Sequence, residues 1–129
     1  MIALSEDWEP SILIVDDSHF TRRAIRKIIE SNMLATKIIE AADGVEAVMK
    51  YKEHRPTLVT MDVLMPKADG IQALRAIKKI DPFAKVIMIS STGKSHIVQD
   101  SMRAGAIDYV LKPFDPAQIA ITISKHGRI

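Results

Sequence analysis

Five residues could share one piece of chemistry: Asp16 and its neighbour Asp17, then Asp62, Ser90 and Lys112. Each stands where a short aliphatic run stops being aliphatic. Packed together, three carboxylates disfavour joint ionisation, and at least one pKa rises unless a cation holds them. An all-oxygen set, in a chain with no cysteine and four scattered histidines, suits a hard ion. Mg2+ is the usual choice where phosphate is also handled. Lys112 would then be a second cation, able to meet an oxygen of an incoming phosphoryl group. A carboxylate can itself take that group and become an aspartyl-phosphate, in chemistry that depends mostly on positioning and charge neutralisation. Each residue alone has a plainer reading: helix caps for Asp16 and Asp17, a turn residue for Asp62, a strand terminus for Ser90, a turn at Lys112-Pro113. The functional reading needs them to converge.

Convergence is what the surrounding elements predict. Residues 12–15, 36–40, 57–61, 85–89 and 107–111 are rich in Ile, Val, Leu and Thr and read as strands. The first, third and fourth are apolar on consecutive residues, as strands covered on both faces should be. Between them, Phe20, Ala24, Ile25, Ile28 and Ile29 recur at helical spacing, as do Val45, Val48, Met49 and the stem of Lys52. Ile71, Leu74, Ile77 and Ile80 mark a third helix, and Ile97, Val98 and Met102 a fourth. Asp43-Gly-Val-Glu46 and Asp115-Pro-Ala-Gln118 resemble capping boxes, Ser95 is a candidate cap for the fourth helix, and Gly105 a left-handed stop. In the last segment Ile119, Ile121 and Ile123 alternate with period two. Its cap and its place in the order favour a helix, with an edge strand as the alternative. Five strands alternating with five helices imply an α/β fold: a single doubly wound (βα)5 domain with a five-stranded parallel sheet and helices on both faces. Ligands of such sheets collect beyond the carboxyl ends of the strands, where all five candidate residues stand.

Composition narrows the function classes. A chain of 129 residues suits one domain, expected over 11–129 behind a flexible N-terminal extension over 1–10. Its 47% apolar and 26% charged residues exclude global disorder. Without cysteine there is no disulfide scaffold, thiolate metal site or cysteine nucleophile. A net charge of +2, with one Trp, two Tyr and three Phe, argues against direct nucleic-acid binding. No aliphatic run is long enough for membrane insertion, and the acidic start is unlike a secretory signal, so a cytoplasmic location is expected. Arg22, Arg23, Arg26 and Lys27 form a basic side on the first helix, read first as a solvated face and second as a docking surface for an acidic partner. The histidines His19, His54, His96 and His126 are expected to be exposed.

The chain resembles the CheY-type receiver domains of response regulators in two-component signalling. The resemblance covers about residues 11–126 and is carried by Ile12-Leu-Ile-Val-Asp-Asp17, Val59-Thr-Met-Asp-Val-Leu-Met-Pro66, Asp69-Gly70, the Ser90 position, Ala104-Gly-Ala106 and Asp108-Tyr-Val-Leu-Lys-Pro-Phe114. It implies the flavodoxin-like strand order 2-1-3-4-5, which periodicity alone does not supply. It also implies that Asp62 is the phosphoacceptor. Asp17, Asp62 and the backbone carbonyl of Leu64 would ligate Mg2+, with Asp16 assisting through water. Ser90 and Lys112 would contact the phosphoryl group, and Tyr109 would be the aromatic switch that moves inward as the Ser90 hydroxyl shifts. The Lys112-Pro113 peptide would be cis, a rare enough geometry to be informative.

The donor implied is a phosphohistidine on a histidine kinase, and the output a changed protein-binding face on the fourth helix, fifth strand and fifth helix. Val59-Thr-Met-Asp62 and Lys112-Pro-Phe114 resemble the chemotaxis branch, whose target is the flagellar motor switch. Such a protein is a monomeric signalling switch and not an enzyme on external substrates. Leu64 and Thr92 would flank the path of a hydrolytic water, and Leu64, which cannot orient it, predicts slow self-dephosphorylation. Alternatives are a phosphorelay intermediate, a receiver excised from a multidomain regulator, or a Mg2+-dependent phosphatase with an aspartyl nucleophile. The last would need an acid–base Asp where Leu64 stands.

Overall fold

The computed structural model describes residues 9–127. In chain order the elements are β1 (Ser11–Val15), α1 (His19–Ser31), β2 (Lys37–Ala41), α2 (Gly44–His54), β3 (Leu58–Met61), α3 (Gly70–Ile80), β4 (Val86–Ser90), α4 (Ser95–Arg103), β5 (Asp108–Leu111) and α5 (Pro116–Gly127). The strands form one parallel sheet in the order β2-β1-β3-β4-β5. β1, β3 and β4 are buried at every residue. That explains why they are apolar at all but Ser11, Thr60 and Ser90, since both faces of each are roofed by helices.

The two faces carry two cores. Ile12, Ile14, Leu58, Ile87, Ile89 and Val110 pack with Ile25, Ile28 and Ile29 of α1 and Ile119 and Ile123 of α5. Leu13, Val15, Val59, Met61, Val86 and Met88 pack on the other face with Ala47 and Tyr51 of α2 and Ile71, Leu74 and Ile77 of α3. Alternation along each strand does the sorting. Truncating a fully buried side chain such as Ile14 or Leu74 to Ala should cost about 2–5 kcal/mol. The last segment is a helix; its alternating isoleucines put Ile119 and Ile123 inward at a four-residue step and leave Ile121 exposed.

Several sequence expectations need correction. Phe20, placed on the apolar stripe of α1, is 83% exposed, and Val45 and Met49 of α2 face solvent too. α2 buries Gly44, Ala47 and Tyr51 instead. Its N-terminus comes so close to the loop before α3 that a Cβ on Gly44 would stand 2.2 Å from the Ala68 carbonyl oxygen. Tyr51 can go inside because its hydroxyl donates to Asp81 Oδ2 at 2.8 Å. Ser95 does not cap α4: the cap position is Lys94, without a side-chain bond. Asp43 caps α2 through the Glu46 N–H, but Glu46 reaches back to the Ala42 N–H, one residue beyond a capping box. The complete box is at Asp69 and Gln72, opening α3. Gly105 has a φ of +109°, as a left-handed stop requires.

The expected N-terminal extension lies outside the described residues except for Glu9 and Pro10. The Pro10 carbonyl accepts hydrogen bonds from the Thr36 and Lys37 amides, so the chain is already tied to β2 there. Among the described residues no helix is long and apolar enough to cross a membrane.

Candidate functional site

The alternation that sorts the cores also selects the site. On the α1/α5 face, Ile12 and Ile14 are followed two residues on by Asp16, Leu58 and Thr60 by Asp62, and Val110 by Lys112. Ionic side chains therefore crown the apolar layer where the strands end. Lys112 Nζ lies 2.6 Å from Asp16 Oδ2 and 3.4 Å from Asp62 Oδ2. One carboxylate oxygen each of Asp16, Asp17 and Asp62 falls within 4.8 Å of the others. Asp16 and Asp62 are buried, and Asp17 is exposed at the mouth.

The loops hold this arrangement. Asp16 donates its amide to the Ala41 carbonyl at 3.1 Å, and its Oδ1 accepts from the Ser18 amide at 2.9 Å. Ser18, not either aspartate, caps α1, accepting from the Thr21 amide. This leaves Asp16 and Asp17 for other work. Beyond Asp62, the Gly70 amide donates to the Val63 carbonyl at 2.8 Å. A Cβ on Gly70 would sit 1.9 Å from the Asp62 carbonyl oxygen, so only glycine lets α3 begin so close to that residue. Leu64 stands two residues past Asp62 and is 58% exposed.

The charges act on each other as burial dictates. Burial and then the negative charge of Asp16 push the Asp62 carboxyl above its ordinary pKa, while Lys112 and the Val63 amide pull the other way. Burial would lower the pKa of Lys112, but its bond to Asp16 and the two carboxylate charges outweigh that and hold the ammonium protonated. One lysine thus faces two buried carboxylates, with a third at the rim. An all-oxygen donor set with excess negative charge and an open side fits Mg2+ better than a soft or nitrogen-seeking metal.

The second part of the site comes from the opposite parity. Ser90 ends β4 and is fully buried, and its Oγ accepts from the Thr92 amide at 3.4 Å. Tyr109 is half-buried on β5, and its hydroxyl donates to the Thr92 carbonyl at 2.5 Å. Burial raises the Tyr109 pKa, and the Ser90 hydroxyl acts against that rise. The Lys112 amide donates to the Ser90 carbonyl at 2.8 Å, and the Lys112-Pro113 peptide is cis. The structure thus brings together Asp16, Asp17, Asp62 and Lys112 directly, with Ser90 and Tyr109 joined through Thr92.

Sequence reading overlooked Ser18, and it placed Arg22 only on the basic side of the first helix. Arg22 Nη1 donates to the Asp16 carbonyl at 2.7 Å and its Nε to Glu40 Oε1 at 2.9 Å. The basic side of α1 is therefore no simple solvated face, since Arg22 and Arg26 both pair with Glu40. Nothing in the sequence spacing ties residue 22 to residue 40. Two histidines expected to be exposed are half-buried: His54, 3.2 Å from Lys37 Nζ, and His126, 3.0 Å from Asp108 Oδ2.

Comparison with known proteins bears on the family and the fold. The model of the response regulator receiver domain family matches residues 12–124. The chain is 47% identical over 114 residues to the chemotaxis protein CheY of Bacillus subtilis, covering 88% of this chain and 94% of that protein. It is 43% identical to the chemotaxis protein CheY of Thermotoga maritima over the same shares. Among solved structures, a CheX-CheY-BeF3-Mg2+ complex from Borrelia burgdorferi superposes with a TM-score of 0.84 at 43% identity, covering 90% of this chain and 87% of that one. A carboxylate cluster with one lysine at the strand ends of a 2-1-3-4-5 sheet, matched over nearly the whole domain, places this chain in the response regulator receiver domain family.

Proposed function

We propose that this protein is a phosphorylatable switch of a two-component chemotaxis system, working in the cytoplasm, in which Asp62 accepts a phosphoryl group from a phosphohistidine of a histidine kinase. The observation that carries this reading is the position of Asp62: buried, 3.4 Å from Lys112 Nζ, and grouped with Asp16 and Asp17. In the transfer, an Asp62 carboxylate oxygen forms the new bond to phosphorus as the bond from phosphorus to the imidazole nitrogen breaks. The released imidazole leaves with the bonding electrons. Bound Mg2+ would supply charge neutralisation and a template for the phosphoryl oxygens. The residues to hold it are Asp16, Asp17 and Asp62, with the Leu64 main-chain carbonyl.

Lys112 then does two things in turn. Before transfer it balances Asp16 and Asp62; afterwards it pairs with the new phosphoryl oxygens, which add up to about two negative charges. Ser90 would donate its hydroxyl to the same group. That would draw the Ser90–Thr92 segment and its tyrosine toward the site and change the face made by α4, β5 and α5. The CheY relatives support a chemotaxis role, with the flagellar motor switch as the target in view. The Borrelia neighbour, bound to CheX, makes a CheX-like protein a second partner to test.

The test is incubation with Mg2+ and acetyl phosphate, read by intact mass. Wild type should gain one phosphoryl group and Asp62→Asn none; equal modification of both would overturn the assignment. Leu64→Asn should shorten the phosphoprotein's lifetime, because Asn can orient water where Leu64 only shields the phosphoryl group. An unchanged lifetime would remove that role from Leu64.

A further inference from the structure

Outside the residues that touch the reacting group, one side chain is bonded in several directions at the edge of the pocket. Arg22, on the second turn of α1, is 15% exposed. Its Nη1 donates to the Asp16 carbonyl at 2.7 Å, its Nε to Glu40 Oε1 at 2.9 Å, and its Nη2 lies 3.5 Å from His19 Nδ1. Glu40, on β2, is held from its other oxygen by Arg26 at 2.8 Å. A planar guanidinium gripped this way has one orientation, which the point charge of a lysine would not reproduce.

The Asp16 carbonyl belongs to the peptide plane that joins Asp16 to Asp17. Asp16 is tied down in other ways as well, through Ala41, Ser18 and Lys112. Asp17 is not: among the described residues no hydrogen bond holds its exposed carboxylate, so its place is set by the backbone that carries it. The grip on that peptide is Arg22. We propose that Arg22, braced by Glu40, is a positioning residue that orients the Asp16–Asp17 peptide and so sets the affinity of the acidic pocket for Mg2+. The inference rests on the reading of Asp16, Asp17 and Asp62 as the Mg2+-dependent phosphoacceptor site.

The sign of the effect separates placement from charge. Removing a nearby cation would by itself tighten binding of a divalent cation, so a weaker site after removal of Arg22 reports lost placement. Outer partners of metal ligands commonly change affinity about 10–100-fold. The test is Mg2+ titration by calorimetry, with phosphorylation by acetyl phosphate followed across Mg2+ concentrations. Arg22→Met should bind Mg2+ about 10-fold more weakly, and its phosphorylation rate should recover at saturating Mg2+. Arg22→Lys, which keeps the charge but not the fork, should also be weaker than wild type. Glu40→Gln should shift in the same direction by a smaller factor. Arg23→Met, an exposed neighbour on the same helix, should match wild type. If Arg22→Met does not fold, Arg22→Lys and Glu40→Gln carry the test. Wild-type Mg2+ affinity in the Arg22 variants, while wild type itself takes a phosphoryl group, would overturn this inference alone. A wild type that neither binds Mg2+ nor becomes phosphorylated would overturn the function and this inference with it.

Discussion

The two halves of the site are built differently although their strands are neighbours. On the α1/α5 side, Asp16, Asp62 and Lys112 are buried or nearly so and meet in direct contacts of 2.6 and 3.4 Å. On the other side, Ser90 and Tyr109 carry no charge and meet through Thr92, by bonds to its amide and carbonyl. A buried charge cluster is expensive to rearrange, because each ion moved from its partner is left unpaired in a low-dielectric setting. A neutral hydrogen bond contributes about 1 kcal/mol and can be traded for another. The ionic half is thus suited to hold still while chemistry occurs, and the hydroxyl half to move in response. Couplings of about 1–3 kcal/mol are enough for such a response.

The sharpest way to break this contrast is to remove the lysine. Lys112→Met should destabilise the metal-free protein by about 3 kcal/mol in urea unfolding, since two buried carboxylates lose their counter-charge. Added Mg2+ should recover part of that loss; equal losses with and without Mg2+ would mean that Lys112 and the metal do not serve the same carboxylates. Tyr109→Phe tests the other half. It should cost only about 1 kcal/mol and leave Mg2+ affinity unchanged, while the gain in target binding on phosphorylation shrinks.

Thr60 sharpens the picture from beneath the ionic row. Among the described residues its buried Oγ1 has no hydrogen-bond partner, two residues before Asp62 on the same strand. Thr60→Val keeps the shape and removes the orphan hydroxyl, so it should raise unfolding stability by about 1 kcal/mol. A loss of stability instead would show the hydroxyl to be engaged. The smallest effect concerns Glu40. Burial would raise its pKa, but bonds from Arg26 and Arg22 more than offset this and hold it below its ordinary value. With the folded value depressed, the stabilisation is fully present above the unfolded pKa of about 4.3 and is lost as pH falls through the folded value. Glu40→Gln should therefore cost less than about 1 kcal/mol at neutral pH. The gap to wild type should close in acid; a gap independent of pH would mean that the ion pair is not its source.

Much of the fold was legible because parallel strands roofed on both faces are apolar at most positions. Residues 12–15 and 86–89 advertise that directly. The strand order did not follow from periodicity and came only with the family resemblance. Helical faces were read less well. Val45 and Met49 share a stripe with Val48, yet α2 turns Ala47 and Tyr51 inward, because close approach at Gly44 and the Tyr51–Asp81 bond reward that face. Capping was misplaced at Ser95 and overlooked at Asp69 and Gln72, where two side-chain bonds close a box that spacing alone shares with many loops.

The sequence by itself determined which residues lie at strand ends, and hence that Asp16, Asp17, Asp62, Ser90 and Lys112 share one edge of the sheet. That follows from local rules: alternation along a strand and the end of an aliphatic run need no knowledge of distant residues. Only the tertiary structure decided which of them touch, which parity faces which helix, and that Arg22 reaches from α1 to the Asp16 carbonyl with Glu40 behind it. Those contacts join residues far apart in the chain. Their energies depend on distances and burial that exist only once the sheet has closed.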